Sequence, residues 1–141
     1  MNARVLSKIA AITFLLVSNS WTSSAAWAET QTVDTDKIEQ LTGVKGKLND
    51  KEGVFKVSVP RADLKVTVAG VHMTPPMGLT SWAAFNKDGE TLVMGDMVLL
   101  EDQVNPVMSV ALDQGLEVTA LHNHFLWDSP KVMFMHIGGW Q

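Results

Sequence analysis

The spacing of apolar side chains along the chain changes twice, and each change marks a new kind of element. Apolar and β-branched residues first alternate with polar ones, a pattern typical of half-buried strands. Apolar residues then recur at helical spacing, and afterwards the alternation returns. In chain order, the pattern predicts a short helix at 36–41, a loop at 43–53, strands at 54–60, 64–69, 80–86 and 90–100, a helix at 104–114, and strands at 116–124 and 131–138.

Residues that start, stop or connect elements support this order. Asp34 or Thr35 caps the first helix and Gly43 ends it, while Asn105-Pro106 and Gly115 suit the two ends of the second helix. The first two strands are expected to pair through a three-residue connection, and the next two to form a hairpin around a Lys-Asp-Gly turn. The sequence therefore predicts an α+β domain with a mainly antiparallel sheet and one helix packed on its face.

The second strand of the predicted hairpin contains an interruption. Gly95 and Asp96 lie in the middle of an otherwise apolar stretch at 90–100. A glycine inside a strand indicates either a bulge or the close approach of another backbone, and the sequence leaves both alternatives open.

The first 28 residues have the features of a secretory signal peptide. Arg4 and Lys8 form a basic start, residues 9–17 form an apolar run, and Ala26-Trp27-Ala28 provides a cleavage site. The run is shorter than the roughly 20 residues that span a bilayer, so a retained anchor is the weaker alternative. We expect export of residues 29–141 as a single domain, either periplasmic or extracellular.

Composition excludes several function classes. The 141-residue chain has no cysteine, which rules out disulfides, thiolate ligands and a thiol nucleophile. The net charge is −4, and the predicted cleavage removes two basic residues, Arg4 and Lys8, so nucleic acid is not an expected partner. After cleavage no membrane partner is expected either. Any metal must be held by His, Asp or Glu, and a domain of this size would be helped by forming a homo-oligomer.

Three of the four histidines lie close together near the C-terminus. An antiparallel strand at 131–138 would set His136 directly across from His122, with His124 as the next neighbour on the same face. Three imidazoles that converge from two strands can bind zinc and leave a fourth position for water or substrate. His72, in a Pro-rich loop, is expected to stay outside this cluster. The predicted shared face of the first histidine strand comprises Leu116, Val118, Ala120, His122 and His124.

The same spacing also has a plainer interpretation. A His-x-His pair followed by a third histidine arises by chance in many chains, and a buried histidine often bonds to the backbone instead. The apolar neighbours of these histidines offer them few polar partners, however, and buried polar groups need partners. This mismatch favours a metal ion.

Five motifs of the chain match a known family pattern. They are Pro-Arg-Ala-Asp at 60–63, Met-Gly-Asp-Met-Val-Leu-Leu at 94–100, Val-Asn-Pro-Val at 104–107, Glu-Val-Thr-Ala-Leu-His-Asn-His-Phe at 117–125 and Phe-Met-His at 134–136. Together they resemble the LppY/LpqO-type family of secreted bacterial proteins of unknown function. Members of that family carry the unit twice, so the resemblance implies a truncated copy or a fragment, incomplete at its C-terminus. It also implies an acid where Gln103 stands.

The histidine segment has a more distant resemblance. It is similar to the zinc-binding segment of acetolactate decarboxylase and of related three-histidine zinc proteins with ester hydrolase activity. By that resemblance, His122, His124 and His136 would be zinc ligands. A shared motif and fold do not fix the reaction.

Three functions are open on these grounds. The first is a zinc-dependent hydrolase or lyase for a small carbonyl substrate, in which a carboxylate moves protons beside the metal. The second is a non-catalytic metal-binding or envelope interaction module, and the third is a degenerate half-protein that folds poorly alone. Alternation turns Glu117 away from the histidines. The candidate catalytic acids are Asp128, Asp102, Glu101 and, at the interruption, Asp96.

Overall fold

Strands dominate the computed structural model, which describes residues 33–86 and 91–140. The predicted signal peptide and the predicted hairpin turn lie outside the described residues. In chain order the elements are α1 Thr35–Thr42, β1 Lys47–Asn49, β2 Val54–Pro60, β3 Thr67–Val68, β4 Val71–His72, a 3-10 helix Pro75–Met77, β5 Thr80–Asn86, β6 Leu92–Leu100, α2 Glu101–Asp113, β7 Glu117–His122, β8 Asp128–Ser129 and β9 Val132–Trp140.

The strands form two antiparallel sheets. The large sheet has the order β1-β2-β5-β6-β9-β7, and the small sheet has the order β4-β3-β8. Strand β9 lies between β6 and β7, so the last strand of the chain joins the predicted hairpin to the first histidine strand. The predicted fold class, an α+β domain with a mainly antiparallel sheet, is confirmed.

Two predictions about the first half of the chain are wrong. Residues 64–69 do not pair with β2; only Thr67–Val68 is a strand there, and it pairs with β4 and β8 in the small sheet. The predicted loop at 43–53 contains β1, which pairs with β2 at the edge of the large sheet. Very short strands lack a readable alternation, so their partners are chosen by tertiary packing.

The interruption in β6 is a close approach and not a bulge. Gly95 pairs in regular register with Ala83 and Ile137, and Asp96 pairs with Trp82. A Cβ atom on Gly95 would lie 2.8 Å from the carbonyl oxygen of Trp82. The neighbouring backbone therefore leaves no room for a side chain at this position.

Helix α2 begins three residues earlier than predicted. The Gln103 side chain accepts a hydrogen bond from the Leu100 amide at 3.0 Å, so it satisfies a donor at the start of the helix. Pro106 consequently lies inside the helix and not at its first position. At the other end Gly115 has φ 80°, as predicted for the residue after the helix.

The large sheet has two differently covered faces. We call one the helix face; there Leu99 and Met135 pack against Val104 of α2. The other is the histidine face, which carries Val98 and Phe134. Part of the histidine face is covered by the segment around the small sheet, and the core between them consists of Leu64, Val66, Met73, Leu79, Val98, Val132 and Phe134.

A bulge in β7 decides which of its residues reach the histidine face. Val118 pairs with Ile137, but Ala120 pairs with His136, so β7 advances two residues where β9 advances one. Val118 therefore packs on the helix face, whereas Ala120 and His122 lie on the histidine face. The prediction that Val118 shares a face with His122 is wrong for this reason.

Candidate metal site

Strands β7 and β9 bring two of the three clustered histidines together. His136 pairs with Ala120, and His122 pairs with Phe134. The predicted direct pairing of His122 with His136 is therefore wrong: the two residues are shifted by two residues along the strands, which is one side chain on the shared face. The two rings nevertheless meet diagonally, and their Nε2 atoms are 3.1 Å apart. Diagonal neighbours on one face of a sheet are within reach of aromatic side chains.

His124 reaches the same place from outside the strand. Strand β7 ends at His122, and the chain then bends. The Asn123 side-chain amide donates a hydrogen bond to the Phe125 carbonyl at 2.6 Å within this bend. The His124 ring stacks on Phe134 with 3.5 Å between ring centres, and its centre lies 5.0 Å from that of His122.

These separations resemble those of imidazoles around one tetrahedral zinc ion. Ligand nitrogens at about 2.0–2.1 Å from zinc lie about 3.3 Å apart, with ring centres roughly 5 Å apart. The Nε2 atoms of His122 and His136 are 3.1 Å apart, and the ring centres are 5.0 Å apart for both His122–His124 and His122–His136. Across residues 33–86 and 91–140, however, no group of three or more His, Cys, Asp or Glu is arranged to hold a metal as it stands.

Phe134 lies beneath the rings of His122 and His124 and stacks with both. It is 1% exposed and belongs to the core between the histidine face and the small sheet. The partial burial of His124 lowers the pKa of its imidazole, and repulsion from His122 and His136 lowers that pKa further, while Asp96 opposes the change. A lowered pKa keeps the ring neutral at pH 7, which is the form that binds metals.

Asp96 lies beside His136 on the adjacent strand. The two residues are paired across β6 and β9, and the Asp96 Oδ2 atom is 3.9 Å from His136 Nε2. The Asp96 side chain is 16% exposed, whereas that of His136 is 45% exposed. The second oxygen, Oδ1, is buried and has no hydrogen-bond partner among the described residues. Sequence reasoning noted Asp96 but had no means of seeing that β9 would be its neighbour.

Asp128, the favoured catalytic acid in the sequence, is engaged in structural contacts. Its side chain is fully buried, one oxygen pairs with the Lys131 ammonium, and the other accepts the Val132 amide at 2.8 Å. Burial alone would raise the pKa of Asp128, but the hydrogen bonds from Lys131 and Val132 outweigh it and lower that pKa. The carboxyl thus ties β8 to the start of β9, and its catalytic role stays a prediction.

The other predicted acids lie at the start of α2. Glu101 and Asp102 are exposed in its first turn, and α2 packs on the face opposite the histidines. Gln103, where the resemblance implies an acid, accepts hydrogen bonds from the Leu100 amide and, at 3.3 Å, from Arg61. Their catalytic roles stay predictions. His72 is exposed in β4 of the small sheet, opposite Thr67.

Beyond Asp96, the histidine face continues as a more open surface. Trp82 is the partner of Asp96 on β5, and the Lys56 ammonium lies 4.0 Å from the centre of its ring. Met94 is 56% exposed and Trp140 is 65% exposed. A molecule bound next to His136 would therefore meet aromatic and apolar groups on this side.

Comparison with known proteins supplies a family but no activity. The family model described as Domain of Unknown Function (DUF1259) matches residues 36–141, which include all the site residues above. The chain belongs to this family. No curated protein and no solved structure matches the chain. Neither helix of the described part of this DUF1259 chain is long and apolar enough to cross a membrane.

Proposed function

We propose that this DUF1259 domain binds a divalent metal ion, zinc above all, through His122, His124 and His136. The observation that carries the proposal is the 3.1 Å separation of the Nε2 atoms of His122 and His136 on a single face of the sheet. Two neutral imidazoles at this distance either share a proton or share an ion. The third ring favours the ion, because its centre lies 5.0 Å from that of His122, the spacing of two imidazoles that share one zinc ion.

A reaction at this ion would be hydrolysis or lyase chemistry on a small carbonyl compound. Three protein nitrogens leave one position of a tetrahedral zinc ion for water or substrate. The ion would polarise a carbonyl group bound in that position, or lower the pKa of a water molecule bound there to about 7. The 45% exposure of the His136 side chain supports access of a small molecule to the ion.

A non-catalytic metal-binding module is the alternative. It is favoured by the position of the acids chosen from the sequence, because Asp128 is fully engaged and Glu101 lies at the start of a helix on the opposite face. Turnover of esters and of 2-oxo or 2-hydroxy acids by the metal-loaded protein separates the two functions. Export of the domain stays part of the proposal, since the predicted signal peptide is outside the described residues.

The metal site is tested by zinc affinity, measured in competition with a chromophoric chelator at neutral pH. His122→Ala should weaken zinc binding by about 100-fold or more, because loss of a ligand costs more than the 10- to 100-fold typical of an outer-shell partner. The matched control is His72→Ala, which removes an exposed histidine of the small sheet. Absence of zinc binding by the unmodified protein, or an equal loss in both variants, would contradict the proposal.

A further inference from the structure

We infer that Asp96 is a ligand of the same metal ion, so that the site combines histidine nitrogens with a carboxylate oxygen. This inference rests on the proposed function. It adds a residue that neither the histidine spacing nor the family match identifies. Two independent observations carry it: the atom of His136 that Asp96 approaches, and the condition of the second Asp96 oxygen.

The first observation concerns the direction of approach. A carboxylate that only orients a metal-bound histidine bonds to the ring nitrogen that faces away from the metal. Asp96 Oδ2 instead lies 3.9 Å from Nε2 of His136, and this is the nitrogen that faces His122. Asp96 is therefore on the metal side of the ring, where ligands lie.

The second observation is the unpaired oxygen. Asp96 Oδ1 is buried without a hydrogen-bond partner among the described residues, although nearly all buried polar atoms in proteins have one. Burying a carboxyl group without a partner is costly. A cation bound by both oxygens of Asp96, beside the two histidine nitrogens, would supply the missing partner.

The strand register holds the backbones of Asp96 and His136 at fixed neighbouring positions. Trp82, Asp96 and His136 are consecutive partners across β5, β6 and β9, which fixes their backbones relative to one another. Donor atoms around one zinc ion lie roughly 3.3–3.5 Å apart, and the 3.9 Å between Asp96 Oδ2 and His136 Nε2 exceeds that range by only about half an ångström. Imidazoles together with one carboxylate suit first-row divalent ions such as zinc, iron, cobalt and manganese. With Asp96 as the fourth protein ligand, water or substrate would be a fifth ligand of the ion.

The experiment compares zinc binding and zinc coordination in Asp96→Asn and in the unmodified protein. We expect zinc affinity to fall by more than 100-fold, beyond the effect of losing an outer-shell partner. X-ray absorption of the zinc-loaded proteins should show an unchanged number of imidazole ligands, which places the loss at the carboxylate and not at the histidines. Asp113→Asn, at the exposed end of α2, is the matched control and should bind zinc as the unmodified protein does.

A second variant guards against a folding defect. Asp96→Ala removes the partnerless oxygen, so the metal-free variant should melt at or above the temperature of the unmodified protein while losing its response to zinc. Equal zinc affinity in Asp96→Asn and the unmodified protein would overturn the inference and leave the three-histidine site standing. If the unmodified protein binds no zinc, nickel, cobalt, manganese or iron, both the proposed function and the inference fail.

Discussion

At the residue scale, one buried phenylalanine, Phe134, contacts the rings of two of the histidines. Phe134 stacks closely with His124 and more loosely with His122, whose ring centre is 6.1 Å away. Aromatic pairs of this kind contribute about 0.5–1.5 kcal/mol beyond their buried area. Because Phe134 belongs to the core, the stability of the domain and the position of its candidate ligands are linked through one side chain.

Asp128 gives a prediction about stability and pH. Replacing it by Asn removes the partner of Lys131 from a fully buried position, so we expect a loss of about 1–3 kcal/mol in the free energy of unfolding at pH 7. The pKa of Asp128 is lowered on folding, so its stabilisation is complete above the unfolded value of 3.8 and is lost as the pH falls through the folded value.

The check on Asp128 is urea unfolding at pH 7 and at pH 3. The deficit of Asp128→Asn relative to the unmodified protein should be smaller at pH 3, because below the unfolded pKa of 3.8 the unfolded chain takes up a proton that the folded Asp128 binds less readily. Asp113→Asn is again the control, because that residue is exposed at the end of α2. Equal unfolding free energies of Asp128→Asn and the unmodified protein at pH 7 would show that the buried ion pair does not stabilise the fold.

At the scale of elements, two glycines in the paired strands β6 and β9 differ in the space around them. A Cβ at Gly95 would lie 2.8 Å from a backbone oxygen of Trp82, whereas a Cβ at Gly138 would meet its nearest neighbour at 3.7 Å, an ordinary contact. Gly95 is thus required by sterics, and Gly138 is not.

This difference predicts opposite effects of the same substitution. Gly95→Ala should destabilise the domain by about 1–3 kcal/mol, because it overpacks the sheet beside Trp82. Gly138→Ala should be neutral or stabilising by up to about 1 kcal/mol, because it reduces the freedom of the unfolded chain without a clash. Thermal or urea unfolding of the two variants measures both effects, and a Gly95→Ala variant as stable as Gly138→Ala would contradict this view of β6.

The bulge in β7 is the other element that matters for the site. Without it, Val118 and His122 would share one face, and either the helix-face core or the histidine cluster would be lost. A bulge of this kind changes the face that a strand presents at a chosen point. It allows one strand to contribute first to the core under α2 and then to the candidate site.

At the scale of the whole molecule, the site lies on a boundary. Val98 and Phe134 on the histidine face are covered by the segment around the small sheet, while the next row, with Asp96 and His136, is only partly covered. A partly covered position combines reduced solvation, which strengthens metal–ligand contacts, with access for a small molecule.

An ion at this boundary should stabilise the whole domain. A ligand that binds only the folded protein, at 100 times its Kd, adds about 2.7 kcal/mol to stability. For a domain of this size we expect a rise in Tm on the order of 10 °C when zinc is added. Calorimetry with and without a chelator measures the rise, and the same rise in His122→Ala would show that zinc acts elsewhere on the protein.

The sequence by itself determined the longer elements. Alternation located β2 and β5, and most of β6, β7 and β9, because each is long enough for its periodicity to be read. Local chemistry determined the ends of α1, where the Asp34 side chain accepts the Lys37 amide at 2.9 Å and Gly43 adopts φ 70°. These signals are local, so they need no knowledge of the partner strands.

Only the tertiary structure decided which side chains meet. The bulge in β7 moved Val118 away from His122, and the placement of β9 beside β6 brought Asp96 to His136. Strand order, register and bulges depend on contacts between residues far apart in sequence, and alternation along one strand carries no information about them. For that reason the sequence could name the three histidines and Asp96, whereas the position of Asp96 beside His136 emerged only once the sheet was assembled.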